Sequence, residues 1–434
     1  MGPLSGIKVI EMAHWLVAPY CANILADLGA DVIKIEPPQG DQVRKAGGHF
    51  KDDESYLFAA YNHGKRSIAV NLKEPDGVRI VHQLARDADV IIENYRPGTC
   101  DKLGVGYEQI RKINPRIVYC SISAFGDTPG YVKRPGMDPI VQGMGAVMSL
   151  TGKPDDEPML VGVPIADNST AFMAFGAICA ALVDRARTGI GQHIRLNLID
   201  TMVFNLSTRF AQYVATGQPP KPHGNQHAEV VPYQAFQTHD GWLMAGAQSD
   251  EAWRTFCEAI GCPELAEDER YRTNQLRLQH RAELTARLNA VFSARSTDEW
   301  CRILEAQGVL HGPVWNVEQL VTSDLIRDHG LIEEVEHPVF GQLPVIRTPI
   351  RYSEREVKVR SSPPLLGQHT RDILRELGYS DEEVADLAGR GVVLLEAAAE
   401  RRGRSAAEQP VRALGHRGQD DLRLGDDEEL PAGR

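Results

Sequence analysis

The sequence predicts an α/β protein built on a mainly parallel sheet with helices on both faces. Three observations lead there: strand-like and helix-like segments alternate through the first 125 residues, one long stretch is apolar all round, and no internal repeat is present. The strand-like runs are "IKVIEM" (7–12), "DVIKIE" (31–36), "SIAVNL" (67–72), "DVIIEN" (89–94) and "RIVYCSIS" (116–123). Each is short and rich in β-branched residues, which suit a pleated, buried surface. Between them lie "APYCANILADLG" (18–29), "PDGVRIVHQLARD" (75–87) and "YEQIRKIN" (107–114), with helical spacing of their apolar residues. Alternation of this kind gives a doubly wound sheet, and ligands gather at the carboxyl ends of its strands. Here those ends fall near Glu36–Gly40, Asn71–Lys73, Asn94–Gly98 and Ser123–Gly126.

The apolar stretch, Ala171–Val183, reads as a buried helix that opens between Asp167 and Thr170 and stops in "DRARTG". Asp, Asn, Ser and Thr accept hydrogen bonds from first-turn amides. On the residues alone, Asp167 or a neighbour is therefore an ordinary helix cap. "GQHIRLNLIDTMVFNLSTRFAQYVA" follows as a further strand and helix, and Gly217–His227, dense in Pro, Gly and His, looks like a linker. A second unit opens with "YQAFQTHDGWLMAG", a hairpin turning at Asp240-Gly241, and continues in amphipathic helices at 251–260, 280–293 and 297–307. The domain reading is a large unit over 1–200, a linker over 201–227 and a smaller α+β unit over 228–325. A second linker (326–362) and a segment that completes the large unit as a closing helix pair (363–395) follow. Residues 396–434 are polar and charged and read as a mobile extension.

The 434 residues are 42% hydrophobic and 24% charged, an ordinary globular composition. A formal charge of −12 argues against nucleic acid as a partner. The N-terminus lacks a basic region followed by a long apolar one, and no uncharged run approaches the roughly 20 residues of a membrane span. Seven scattered cysteines without a CxxC pair argue against a disulfide framework and against zinc, and favour a reducing cytoplasm. No dinucleotide fingerprint, P-loop, HExxH or GxSxG motif occurs. The histidines do not pair at metal spacing, so no metal is expected.

Ten segments in order resemble the class III CoA-transferases (the CaiB/BaiF family of formyl-CoA and carnitine CoA-transferases) across about residues 3–390. They are "PLSGIKVIEM", "ADLGADVIKIE", "NHGKRSIAVNLK", "ADVIIENYRPG", "NPRIVYCSISAFG", "GVPIADNSTA", "RTGIGQHIRLNLID", "GNQHAEVVPYQAF", "HGPVWNV" and "PLLGQHT". The resemblance implies a Rossmann-like large domain, a smaller α+β domain and an interlocked homodimer. It also implies transfer of CoA from an acyl-CoA to a free carboxylic acid, with coenzyme A as the carrier. The family's catalytic aspartate falls at Asp167, where a carboxylate would form first an aspartyl-acyl anhydride and then an aspartyl-CoA thioester. A helix N-terminus there would help keep it ionised. By position, the resemblance assigns CoA contacts to Trp15, Leu16, Val17, Val70, Lys73, Asn94, Tyr95, Arg96 and Lys102. It places Asp138 close behind the reacting centre.

Some positions depart from the family's pattern. Leu16 stands where formyl-CoA and oxalate enzymes carry Gln, and their Gly-rich small-domain loop is missing; both count against those substrates. Pro37 and Lys102 replace Arg, and Ala18 replaces a common Gly. The related α-methylacyl-CoA racemases use a His in the segment matching "RPGMD", where this chain has Met137. A thioether carries no exchangeable proton, so the racemase alternative lacks one of its two acid–base groups. A lapsed CoA-ester-binding protein is the other alternative, against which Asp167, Lys73 and Asn94 stand.

Overall fold

The computed structural model describes residues 2–395. Its centre is a seven-stranded sheet. In chain order the strands are β1 (Lys8–Met12), β2 (Asp31–Glu36), β3 (Lys65–Val70), β4 (Val90–Glu93), β5 (Val118–Ser123), β6 (Gln192–Asn197) and β7 (Val393–Leu394). In space they run β7-β3-β2-β1-β4-β5-β6, all parallel except β7, which pairs antiparallel with β3. The order 3-2-1-4-5-6 is that of the doubly wound dinucleotide-binding fold.

Alternate strand residues feed two cores, which is why the runs are apolar on both faces. Val9, Val32, Val90, Val118 and Cys120 face helices α1 (Val17–Asp27) and α3 (Ile165–Thr188). Ile10, Ile33, Ile68, Ile91 and Tyr119 face the helix Pro75–Asp87 and the C-terminal pair Thr370–Glu376 and Asp381–Gly389. A short helix, α2 (Asp138–Met144), precedes α3. At 24 residues α3 is long and apolar enough to cross a membrane by length and composition, longer than the uncharged run had suggested. In this fold it packs through Ala166, Ala171, Ala174, Ile178 and Ala181. Its other face is bare, with Phe172 52% and Val183 64% exposed.

The segment 201–227, expected as a linker, begins with helix: α4 (Leu198–Asn205) and α5 (Ser207–Thr216) run to Gly217, whose left-handed φ of 65° ends α5. The segment 326–362 likewise contains an antiparallel hairpin, Ile332–His337 with Gly341–Ile346. Leu343 and Val345 bury against Phe340 and against Ala59 of the helix Tyr56–Ala60, so that stretch packs onto the large unit through a small apolar cluster. Between these segments the smaller unit holds a three-stranded antiparallel sheet: Tyr233–Gln237, Trp242–Gly246 and Leu310–Pro313. Its hairpin turns at Asp240-Gly241, and Phe236, Trp253, Phe256, Phe292 and Trp300 fill its core. The 396–434 extension lies outside the described residues.

Arg44 ties the C-terminal segment to the sheet edge. Its guanidinium grips Glu36 at 2.7 and 2.8 Å and donates to the Pro364 carbonyl at 3.0 Å. The pair is buried, and Arg44 holds the Glu36 carboxyl down at about 2 despite the burial that opposes it. Arg44→Met leaves that buried carboxylate without its guanidinium, with only Ser67 Oγ and the Asp41 N–H still donating to it, and is expected to lower unfolding free energy by about 3 kcal/mol in denaturant titrations. The Glu36 contribution is fully present above pH 4.5 and is lost as the pH falls toward 2. Wild-type stability should therefore fall across that window more steeply than that of Arg44→Met.

Candidate active site

The strands β1 and β4 adjoin at the point where the strand order reverses, and their carboxyl ends open the crevice that such sheets use for ligands. The chain leaving β1 makes an irregular turn there, held by side chains rather than by a ladder. Asn94 clamps it: the His14 N–H donates to Asn94 Oδ1 at 3.0 Å, and Asn94 Nδ2 donates to the His14 carbonyl at 2.7 Å. The Trp15 N–H donates to Asp41 Oδ1 at 3.3 Å, and its indole N–H to Gln42 Oε1 at 3.1 Å. Trp15 itself has φ 63°, a left-handed conformation that costs a non-glycine residue about 1–3 kcal/mol.

Facing this turn is the start of α3. Its N-cap position is Pro164, which offers no side-chain acceptor. The acceptor comes instead from Asp138 at the head of α2. Asp138 Oδ1 receives the Ala166 N–H at 2.7 Å and the Asp167 N–H at 3.2 Å, and Gln142 Nε2 donates to its Oδ2 at 2.6 Å. Asp138 is thus the cap of α3, and Asp167 is not. The Asp167 carboxylate meets no hydrogen-bond donor among the described residues; it lines a cavity of about 110 Å³.

Burial, and then the negative charge of Asp138, raise the Asp167 carboxyl from 3.8 to about 7. The helix dipole had been expected to keep it ionised. A dipole contributes about 0.3–1 kcal/mol, less than one pKa unit, and desolvation beside a second carboxylate outweighs it.

Trp15, Leu16, Val17 and Asn94 line the Asp167 cavity, as do Asp138 and Met137. Both polar groups of the Asn94 side chain are occupied by the His14 backbone, so its evident work is to hold the turn. Tyr95 and Arg96 lie in a neighbouring cavity of about 330 Å³, walled also by Tyr107, His193 and Arg195. The two cavities share Ile122 and Ser123. Lys73 and Lys102 are exposed and line neither cavity. Val70 is 1% exposed and packs into the core beneath β3, so its side chain lines neither cavity either.

His14 was not singled out from the sequence, yet it lines the Asp167 cavity with its ring edge-on to Tyr95, centroids 5.1 Å apart. Burial lowers its pKa and favours the neutral imidazole. Its place directly after the first strand was the available signal.

Residues 4–370 match CoA-transferase family III. This chain belongs to that family. It is 40% identical over 395 residues to succinyl-CoA:glutarate CoA-transferase of Mus musculus, covering 91% of each chain. It is 39% identical to succinate–glutarate CoA-transferase of Agrobacterium fabrum, over 86% of this chain and 96% of that one. A crystal structure of a CaiB/BaiF family protein from Brucella suis superposes with a TM-score of 0.80 at 39% identity, covering 87% of this chain and 99% of the other. The protein is accordingly a CoA-transferase, with a CoA ester and a carboxylic acid as its substrates.

A carboxylate that acts as a nucleophile reacts as the anion, so with Asp167 in that role the rate of acyl transfer should rise with pH through an apparent pKa near 7. Asp138→Asn removes the second charge while Asn can still accept from the α3 amides. Its rate profile is expected to move to lower pH, read from initial rates between pH 5 and 9. An unmoved profile would mean that Asp138 does not influence the titrating group.

Proposed function

We propose that this enzyme moves CoA from succinyl-CoA to glutarate or a similar dicarboxylic acid, with Asp167 as the covalent relay. One observation carries the assignment of Asp167: it is a carboxylate with no hydrogen-bond donor, in a small cavity whose neighbouring carboxylate already caps the helix. A structural aspartate would be paired; this one is left available for attack.

Asp167 attacks the thioester carbonyl and the carbon–sulfur bond breaks, giving an aspartyl-succinyl anhydride and CoA thiolate. The thiolate then attacks the aspartyl carbonyl and releases succinate, leaving an aspartyl-CoA thioester. The acceptor's carboxylate displaces the thiolate to form a second anhydride. The thiolate finally attacks the acceptor's acyl carbon and returns Asp167 to its starting form. Each step exchanges one acyl leaving group for another, so the free energy of the thioester is conserved.

The Asn94–Pro97 turn lies between the two cavities, which supports a CoA path from the larger one to Asp167, with Arg96 and Arg195 toward the phosphates. Leu16 in the Asp167 wall supports an acceptor with a methylene chain over oxalate, which has none. A relative from Acetobacter aceti is an acetyl-CoA:oxalate CoA-transferase, 38% identical over 73% of this chain. The glutarate relatives match more of the chain.

A second copy of this chain is the proposed partner. Val203 and Phe204 on α4, with Phe210 and Val214 on α5, are 55–72% exposed, beside the bare face of α3. Apolar surface on this scale marks an interface. Phe204→Asp with Phe210→Asp should shift the mass in light scattering from dimer to monomer. All seven cysteines are free thiols, which supports a reducing, cytoplasmic setting.

Succinyl-CoA followed by hydroxylamine should give an Asp167 hydroxamate by mass spectrometry, and Asp167→Ala should give none. The variant's turnover should fall by at least about 10³-fold, as when other covalent nucleophiles are removed. Glutarate should exceed oxalate in kcat/KM. Failure to trap any adduct, with solvent deuterium entering the succinyl α-carbon, would replace the relay by proton exchange.

A further inference from the structure

Beneath the turn that follows β1 lies a cluster of four charged side chains that the relay does not use: Glu11, Lys34, Asp41 and Lys65. All four are buried. Lys34 Nζ stands 2.7 Å from Glu11 Oε1 and 3.0 Å from Asp41 Oδ2; Lys65 Nζ stands 2.7 Å from Glu11 Oε2. Two cations and two anions give the group no net charge. What it offers is direction. Lys34 donates to the Ala13 carbonyl at 2.9 Å, Asp41 accepts from the Trp15 N–H at 3.3 Å, and Lys65 donates to the Pro19 carbonyl at 2.8 Å.

Three backbone groups across residues 13–19 are therefore anchored to one ion cluster, at the start, middle and end of the segment. That segment contains Trp15, Leu16 and Val17 of the Asp167 cavity, and its backbone passes through the left-handed φ of 63° at Trp15. A non-glycine residue keeps that conformation only where its surroundings over-determine it. Glu11, Lys34 and Lys65 come from the adjacent strands β1, β2 and β3 at the centre of the large sheet, and Asp41 from just past β2.

We propose that this buried cluster is a positioning device that fixes the 13–19 segment as the wall of the Asp167 site, with Asp41 as its positioning residue. The inference rests on the reading of Asp167 as the nucleophile. Its effect falls on the rate of acyl transfer more than on binding, because it sets where the thioester carbonyl meets the carboxylate.

The test is single-turnover formation of the hydroxylamine-sensitive Asp167 adduct by the full chain with succinyl-CoA, expressed per folded molecule. Asp41→Ala should slow adduct formation by at least about tenfold while KM for succinyl-CoA moves less than about threefold, as misplacement of reacting groups does. Asp41→Asn, which retains the Oδ1 acceptor, should keep most of the rate. Glycine adopts a positive φ without cost. Trp15→Gly in the Asp41→Ala background should therefore give a double variant faster than the product of the two single effects. Unchanged kinetics in Asp41→Ala, equal losses in the Ala and Asn variants, or strictly multiplicative effects in the cycle would each overturn the proposal. An adduct in the wild type with unchanged variants defeats this inference alone. No adduct in the wild type defeats the nucleophile reading, and this one with it.

Discussion

The acceptance of two α3 amides by the Asp138 carboxylate is the interaction on which the site depends. A helix start leaves amides without intrahelical partners, and those must be met when the end is buried. Had Asp167 met them, its oxygens would be hydrogen-bonded and its basicity reduced. Because a residue from α2 does so across 2.7 Å, Asp167 sits within the first turn with its carboxylate unengaged. The same arrangement puts two carboxylates close together, and the raised pKa of Asp167 follows from burial first and from that proximity second. The cap of the helix and the unengaged carboxylate are thus different residues.

The sheet was legible because its signal is redundant. Five β-branched runs, separated by helical spacing, specify a parallel core, and β2 begins and ends where the sequence places it. The structure adds β7, a two-residue strand too short to carry any periodicity. The hairpin over 332–346 was hidden by "HPVFGQLP", whose prolines and glycine read as a linker although Leu343 and Val345 alternate into a core.

The site divides along similar lines. Trp15, Leu16, Val17, Asn94, Asp138 and Asp167 come together from four separate segments, and no spacing rule in the residues could have joined them. Only the resemblance of ordered motifs did so. It could not say what each side chain does: Asn94 holds a backbone turn, and Asp138 is a cap. Val70, carried over by position, is core. His14 is not legible in the sequence, because a lone histidine has no neighbours until the strands are assembled.

The antiparallel strand β7 has a consequence for how the chain is made. It covers the outer edge of β3 through Val393 and Leu394, and the helices just before it complete the second face of the sheet. A ribosome delivers β1 to β6 long before it delivers these residues. Through most of synthesis the nascent large domain carries a bare strand edge and an uncovered apolar face, both prone to wrong pairing. Closure joins residues more than three hundred positions apart, such as Ala69 and Thr370. Contacts of such long sequence separation form slowly, because the ordering cost of the intervening chain precedes them. The last described residues thus govern when the domain becomes safe from aggregation.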